Sequence, residues 1–270
     1  MLTIADDERA LAITAAERIT RLIEGSIRER ERAILSLTGG STPRALYRFL
    51  ADPTQPWRGR IDWSRVHLLW GDERHVPPDH PESNFGMANA ALVSHVPVPA
   101  SQVHRMRGEL PDAHEAARQY ESDLDAAFSA AGRSDRPFDI MLLGMGEDAH
   151  IASIFPGSPL LAGLTRPALP FGDQTGGADL VKSAGDRVAA IWASHLNTWR
   201  ITLTPAAILN SRAIVMIVSG AAKADAVWWA LEGPEESDRR PAQILRRAQD
   251  RVDWIIDRPA AGRLPDAPRA

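Results

Sequence analysis

Short, largely apolar runs recur along this chain, and longer amphipathic stretches separate them. Four such runs constrain the fold most: Ala33–Leu37, Val66–Trp70, 138–143 and Ala213–Val218. Glycine follows each run within a few residues, at Gly39, Gly71, Gly144 and Gly220. Runs of this length are typical of strands buried on both faces, and strands that alternate with helices form mostly parallel sheets. The alternation therefore predicts a Rossmann-like α/β fold, with a mostly parallel sheet and helices on both of its faces.

The stretches between these runs fit helices of ordinary length. Apolar periodicity and capping residues predict helices at about 6–30, from Thr42-Pro43 onward, at 83–92 and 112–131, from the residues after Gly220 to Leu231, and at 241–248. Three further runs, 188–192, 201–203 and 252–256, are predicted strands. Residues 1–258 are expected to form one domain and 259–270, rich in Pro, Ala and Arg, a frayed tail. The segment 161–185 is interpreted as a surface loop or a small lid.

Composition excludes several classes of function. The net charge is -4, and the arginines are scattered among acids, so no basic stripe for nucleic acid is expected. The chain has no cysteine, which removes disulfides and thiolate chemistry, and the histidine spacing predicts no metal site. Acids precede any apolar run, and no run approaches the roughly 20 residues that span a bilayer. We expect a cytoplasmic protein without a membrane or nucleic-acid partner; the pattern predicts nothing about its oligomeric state.

Polar clusters follow four of the predicted strands. They lie at 39–42, 71–74, 144–150 and 219–223. In an open α/β sheet, ligands bind beyond the carboxyl ends of the strands. We therefore expect the four clusters to converge on one rim, and this convergence indicates a site more strongly than any single motif.

Two of the clusters are suited to an anion. Gly39 and Gly40 allow close backbone approach, and Ser41 and Thr42 precede a helix whose first amides have no partner. An ordinary tight turn with a cap would give the same pattern. Lys223 falls in the first turn of a predicted helix, where the helix dipole disfavours a cation unless an anion is bound. A solvent-facing lysine is the alternative.

The other two clusters carry charged and titratable groups. Arg74 could pair with an anionic substrate, whereas an internal pair between Asp72 and Arg74 in a solvated loop is the alternative. His150 follows a glycine-rich strand end, where an imidazole can exchange protons with a ligand near neutral pH. Asp148 could orient that ring or stabilise its cation. A capping aspartate and a structural histidine form the alternative.

Taken together, these motifs resemble the 6-phosphogluconolactonase family of the short bacterial and eukaryotic type, which is related to glucosamine-6-phosphate deaminases. The resemblance rests on SLTGGSTP at 36–43, DER at 72–74, PPDHP at 77–81, SN at 83–84, VHR at 103–105, GMGED at 144–148, His150 with Ala152-Ser153, and RITLT at 200–204. It covers nearly the whole chain. One departure is Ala149, where the family usually has glycine; if that position requires a positive φ, alanine strains the loop by roughly 1 kcal/mol or more.

The resemblance implies hydrolysis of the ring ester of 6-phospho-D-glucono-1,5-lactone in the oxidative pentose phosphate pathway. It implies His150 as general base, with Asp148 beside it, and no cofactor or metal. The phosphorylated substrate would be held by Gly39, Gly40, Ser41, Thr42, Asp72, Arg74 and Lys223, with Arg200 added to the clamp.

Two other functions fit the same motifs. An amino-sugar phosphate deaminase or isomerase would use the same fold and would release ammonia from glucosamine 6-phosphate. A non-catalytic sugar-phosphate sensor would bind 6-phosphogluconate without turnover, although no basic segment here supplies the DNA-binding helices that such sensors usually carry.

Overall fold

Six parallel strands form the main sheet of the computed structural model, which describes residues 1–133, 137–162 and 187–265. The strands are β1 (Leu2–Ala5), β2 (Ala33–Leu37), β3 (Val66–Trp70), β5 (Ile140–Leu143), β8 (Ala213–Val218) and β9 (Val252–Asp257). Their spatial order is β1-β9-β8-β5-β2-β3, and every neighbouring pair is parallel. The four strands that carry the polar clusters are therefore contiguous in the sheet.

A second, antiparallel sheet lies beside the first. It contains β4 (Asp72–Arg74), β6 (Val188–Ala193) and β7 (Thr198–Leu203), in the order β4-β7-β6. The sequence predicted β6 and β7 as strands but treated 71–74 as the loop after β3. Gly71 joins the two sheets, because its N–H donates to the Leu37 carbonyl at 2.9 Å and its carbonyl accepts from Leu203 N–H at 2.8 Å.

Helices cover both faces of the main sheet, and this confirms the predicted fold class. They are α1 (Glu8–Arg30), α2 (Ser41–Ala51), α3 (Pro56–Arg60), α4 (Asn84–Ala91), α5 (Ala113–Ala130), α6 (Pro205–Leu209) and α7 (Ala224–Leu231). Alternate strand residues serve the two cores: Leu35 and Val215 pack with α1 and α2, whereas Ile34 and Ile214 pack with α5 and α7. Among the described residues no helix is both long and apolar enough to cross a bilayer.

Two helical predictions need correction. Helix α2 begins at Ser41, with Gly40 as its N-cap at a φ of 112°, rather than at Pro43 with a Thr42 cap. Glycine at a positive φ turns the chain directly from the strand into the helix, and proline is tolerated within the first turn because its missing amide would have no partner there. The predicted helix at 241–248 is a 3-10 segment, Pro241–Arg251, interrupted at Ala248.

Both ends of the described chain are better packed than the sequence suggested. β1 was not predicted, yet it pairs with β9, and the terminal amino group donates to the Val252 carbonyl at 2.7 Å. The expected frayed tail is packed over 259–265, where Ala260 and Ala261 are completely buried. Residues 266–270, and nearly all of the predicted lid at 161–185, lie outside the described residues.

Candidate active site

The four polar clusters follow the carboxyl ends of β8, β5, β2 and β3, which are neighbours in a parallel sheet. Two of the loops lie close together, because a Cβ placed on Gly144 would come within 3.9 Å of the carbonyl oxygen of Gly39. The structure thus brings the loops after β2 and β5 together at the edge where ligands of such sheets bind.

The Gly39–Gly40 turn is shaped by its neighbour Asn84. A methyl group on Gly39 would overlap the side-chain oxygen of Asn84, so only glycine fits there. Gly40 places Ser41 and Thr42 in the first turn of α2, where backbone amides have no partner within the helix. Ser41 is exposed and Thr42 is half-buried, so this turn remains open to an anion.

Asp72 is buried beneath the rim, with only 5% of its surface exposed. Its Oδ2 accepts from Ser153 Oγ at 2.6 Å, and its Oδ1 accepts from Asn84 Nδ2 at 3.2 Å. In the described part of the chain it forms no ion pair with Arg74, so the alternative of an internal pair between these two residues is wrong. Asp72 instead connects the Asn84 segment to the Ser153 segment, on either side of the site.

Arg74 and Arg200 face each other across β4 and β7. Arg200 is 7% exposed and donates to the Trp199 carbonyl at 3.1 Å, while Arg74 donates to the Glu82 carbonyl at 2.9 Å. The buried Nε of Arg74 has no hydrogen-bond partner. Burial, and then the charge of Arg74, lower the pKa of Arg200. Neither guanidinium forms a salt bridge with a described carboxylate, although the charges of Asp72, Glu82 and Glu73 partly offset the lowering of the Arg200 pKa.

His150 and Asp148 form a close pair in the loop after β5. The His150 Nδ1 lies 2.6 Å from Asp148 Oδ1, and the backbone N–H of His150 donates to the same oxygen at 3.1 Å. Burial alone would raise the pKa of Asp148, but its hydrogen bonds and attraction to His150 prevail and lower that pKa to about 2. A proton held on Nδ1 by this carboxylate leaves Nε2 as the basic nitrogen of the ring. About a third of the imidazole side chain, 32%, is exposed.

The backbone around His150 is tightly constrained. A methyl group on Gly146 would overlap the imidazole, and the ring of Phe155 packs against it at 4.7 Å between centroids. Ala149, which stands where the family usually has glycine, adopts a φ of 66°. The position therefore does require the left-handed conformation in which alanine is strained. Its side chain is completely buried, and its carbonyl accepts from Ala242 N–H at 2.8 Å. The loop therefore holds the imidazole in one place.

Lys223 lies at the end of a short 3-10 turn, Ala221–Lys223, which leads into α7. The turn follows β8 and begins after Gly220, whose φ is 99°. Lys223 is half-buried, and its side chain has no hydrogen bond or ion pair with any described residue. It is therefore a cation on the same edge as the other clusters, available to a ligand.

Comparisons with known proteins identify the family of this chain. The family model described as glucosamine-6-phosphate isomerases/6-phosphogluconolactonase matches residues 6–254. The chain belongs to this family. A 6-phosphogluconolactonase of Mycobacterium tuberculosis is 37% identical over 98% of both sequences. One from Synechocystis is 32% identical over 95% of this chain and 93% of its own.

Solved structures in the family share the fold. The 6-phosphogluconolactonase of Trypanosoma brucei superposes with a TM-score of 0.77 at 26% identity, covering 98% of each chain. A monomeric glucosamine-6-phosphate deaminase superposes with a TM-score of 0.73 at 23% identity, covering 97% of this chain and 98% of its own. At that identity, the deaminase shows a common fold and nothing further.

Sequence reasoning gave no role to three residues that organise the site of this family member. Asn84 and Ser153 bind the two oxygens of Asp72, and Glu73 caps α4 by accepting from the N–H groups of Asn84 at 2.7 Å and Phe85 at 2.8 Å. Burial raises the pKa of Glu73. Glu73, Asn84 and Ser153 all stood within the motifs of the resemblance, which was the available signal, but their contacts became visible only in the structure.

Proposed function

We propose that this chain hydrolyses the ring ester of 6-phospho-D-glucono-1,5-lactone to 6-phospho-D-gluconate, as a step of the oxidative pentose phosphate pathway. The observation that carries the proposal is the Asp148–His150 pair, with its 2.6 Å contact and its partly exposed ring, in the loop that lies close to the Gly39 turn. The names of the curated relatives support the same activity.

In this proposal His150 first acts as a general base. A lactone carbonyl is already electrophilic, so a water molecule deprotonated by Nε2 can attack the carbonyl carbon directly. As the tetrahedral intermediate collapses, the bond to the ring oxygen breaks, and the imidazolium returns the proton to that oxygen. Asp148 remains ionised over the working pH range, because its pKa is about 2, and it stabilises the imidazolium. Proton transfer of this kind contributes about 10²–10⁴ in rate.

The phosphate end of the substrate is bound by separate groups. Arg74 and Arg200, neither in a salt bridge with a described carboxylate, supply two positive charges, and Lys223 supplies a third on the same edge. The first amides of α2, at Ser41 and Thr42, add hydrogen-bond donors. Because the phosphate is remote from the reacting carbon, its binding fixes the orientation of the lactone against His150. Asp72 holds the segments of Asn84 and Ser153 together through its two carboxylate oxygens.

The test uses the purified wild-type chain and two substrates. Freshly prepared lactone is followed against its uncatalysed opening, and glucosamine 6-phosphate is assayed in parallel for ammonia. The proposal predicts lactone opening well above background and no ammonia. Ammonia release without lactone opening would show a deaminase instead. Binding of 6-phosphogluconate without turnover of either substrate would show a sugar-phosphate sensor.

A further inference from the structure

Asp257 lies at the carboxyl end of β9 and is 98% buried, since its exposed fraction is 2%. Its Oδ2 accepts from the hydroxyl of Ser219 at 2.5 Å, and both carboxylate oxygens accept from Gly220 N–H at 3.0 Å. Its Oδ1 also accepts from Ala260 N–H at 2.8 Å. One carboxylate therefore joins the turn after β8 to the segment that follows β9.

The turn held by Asp257 sets the position of the Lys223 backbone. Gly220 adopts a φ of 99°, and its carbonyl accepts from Lys223 N–H at 3.0 Å, which closes the 3-10 turn. The lysine is thus one hydrogen-bonded turn away from the amide that Asp257 fixes. A single 3-10 turn has little stability of its own, so its geometry depends on the contacts at its two ends, which are the Asp257 carboxylate at Gly220 and helix α7 after Lys223.

The same anchor also braces the following helix. The segment that Asp257 holds through Ala260 continues to Arg263, which pairs with Asp225 in the first turn of α7 and packs over the ring of Trp228 at 5.8 Å. The segment that Asp257 holds therefore also contacts the first turn of α7, while Gly220 lies just before that helix. Asp257 is on β9, whereas the loop that carries His150 follows β5, and β8 lies between these two strands.

We propose that Asp257 is a positioning residue for anion binding: it fixes the Ser219–Gly220 turn so that Lys223 faces the phosphate of the substrate. The inference rests on the proposed function, in which Lys223 binds that phosphate. It assigns Asp257 an effect on substrate binding and none on the proton transfers at His150.

The experiment compares Asp257→Asn, Lys223→Ala and the double variant with wild type. The readouts are kcat and KM for the lactone, and the Kd of 6-phosphogluconate by calorimetry. Loss of a hydrogen-bonded charge predicts a rise in KM and Kd of roughly tenfold in Asp257→Asn, with kcat within about twofold. Because Asp257 acts through Lys223, the double variant should bind no more weakly than Lys223→Ala.

Asp253→Asn is the matched control, because Asp253 lies at the other end of β9 and pairs with Arg18 at 2.6 Å. It should lower Tm without changing KM or Kd. Ser219→Ala, which removes one donor and leaves the carboxylate in place, should raise Kd by a smaller factor and serves if Asp257→Asn does not fold.

Two results would overturn the inference. One is a lower Tm in Asp257→Asn or Ser219→Ala with unchanged KM and Kd; the other is multiplication of the two single effects in the double variant. Failure of the proposed function gives a different result, because wild type would then open no lactone. In that case the Kd values for 6-phosphogluconate still decide the role of Asp257.

Discussion

Ala149 has a backbone conformation that favours glycine and a side chain with no access to solvent. Glycine at this position would relieve about 1 kcal/mol of left-handed strain but would lose a buried methyl worth about 0.8 kcal/mol. We expect the unfolding free energy of Ala149→Gly to stay within about 1 kcal/mol of wild type. A β-branched residue adds strain and volume together, so Ala149→Val should lose more than about 2 kcal/mol.

Denaturant unfolding of these two variants measures the prediction. Ala15→Val serves as the control for volume alone, since Ala15 is equally buried but lies within α1. A smaller loss in Ala149→Val than in Ala15→Val would show that the loop of His150 does not impose its positive φ.

Gly39 and Asn84 are sterically coupled, because a methyl group on Gly39 would overlap the Asn84 side chain. Gly39→Ala should therefore lose at least about 1 kcal/mol of stability. Asn84→Ala removes the obstructing amide, although it also breaks the hydrogen bond to Asp72. In the double variant the loss should be smaller than the sum of the two single losses by at least about 1 kcal/mol.

Unfolding free energies of the four forms complete this double-mutant cycle. Losses that simply add would contradict the close approach of the Gly39 turn to Asn84. Lactone turnover in the double variant then reports whether the turn or the amide matters more for substrate binding.

At the level of elements, buried His67 and half-buried His104 tie strand β3 to the segment that covers its outer edge. His67 Nδ1 lies 3.1 Å from His104 Nε2, with their rings stacked at 5.4 Å, and His104 N–H donates to the Leu68 carbonyl at 2.9 Å. Burial, followed by the charges of His104 and Arg32, lowers the pKa of His67 to about 4. Burial also lowers the pKa of His104, against the opposing effect of Asp123.

These shifts predict that the free energy of unfolding falls as the pH drops from about 6.5, the ordinary pKa of histidine, toward 4, the pKa of His67 in the folded chain. In that window the unfolded chain binds protons that the folded pair excludes, so the contribution is complete above 6.5 and is lost on acidification. We expect a loss on the order of 1–2 kcal/mol between pH 7 and pH 5. Urea unfolding at both pH values measures it, and His67→Phe should remove most of the difference. An undiminished difference in that variant would contradict the prediction.

The sequence predicted the elements that depend on local pattern. β2, β3 and β8 are short apolar runs, and Ser83 and Asp112 cap α4 and α5 as their side chains suggest. The second sheet was missed because β4 has only three residues, all charged, and becomes a strand only by pairing with β7. β1 was also missed because it is defined by its pairing with a distant strand, β9, at the other end of the chain.

At the scale of the whole molecule, convergence of the strand ends follows from topology, whereas the network beneath them does not. Parallel neighbours must present their carboxyl ends at one edge, so the meeting of the His150 and Gly39 loops could be expected. The bond from Ser153 to Asp72 joins residues 81 positions apart, and the facing of Arg74 and Arg200 depends on strand register. Neither contact leaves a periodic signal in the sequence.

The proposed function separates His150, the proposed general base, from the groups proposed to bind the phosphate, and steady-state kinetics of lactone opening tests that separation most directly. His150→Ala and Arg200→Gln are compared with wild type after subtraction of the spontaneous reaction. The account predicts that His150→Ala lowers kcat by about 10²–10⁴ with KM nearly unchanged, whereas Arg200→Gln mainly raises KM. Wild-type turnover in His150→Ala would contradict it.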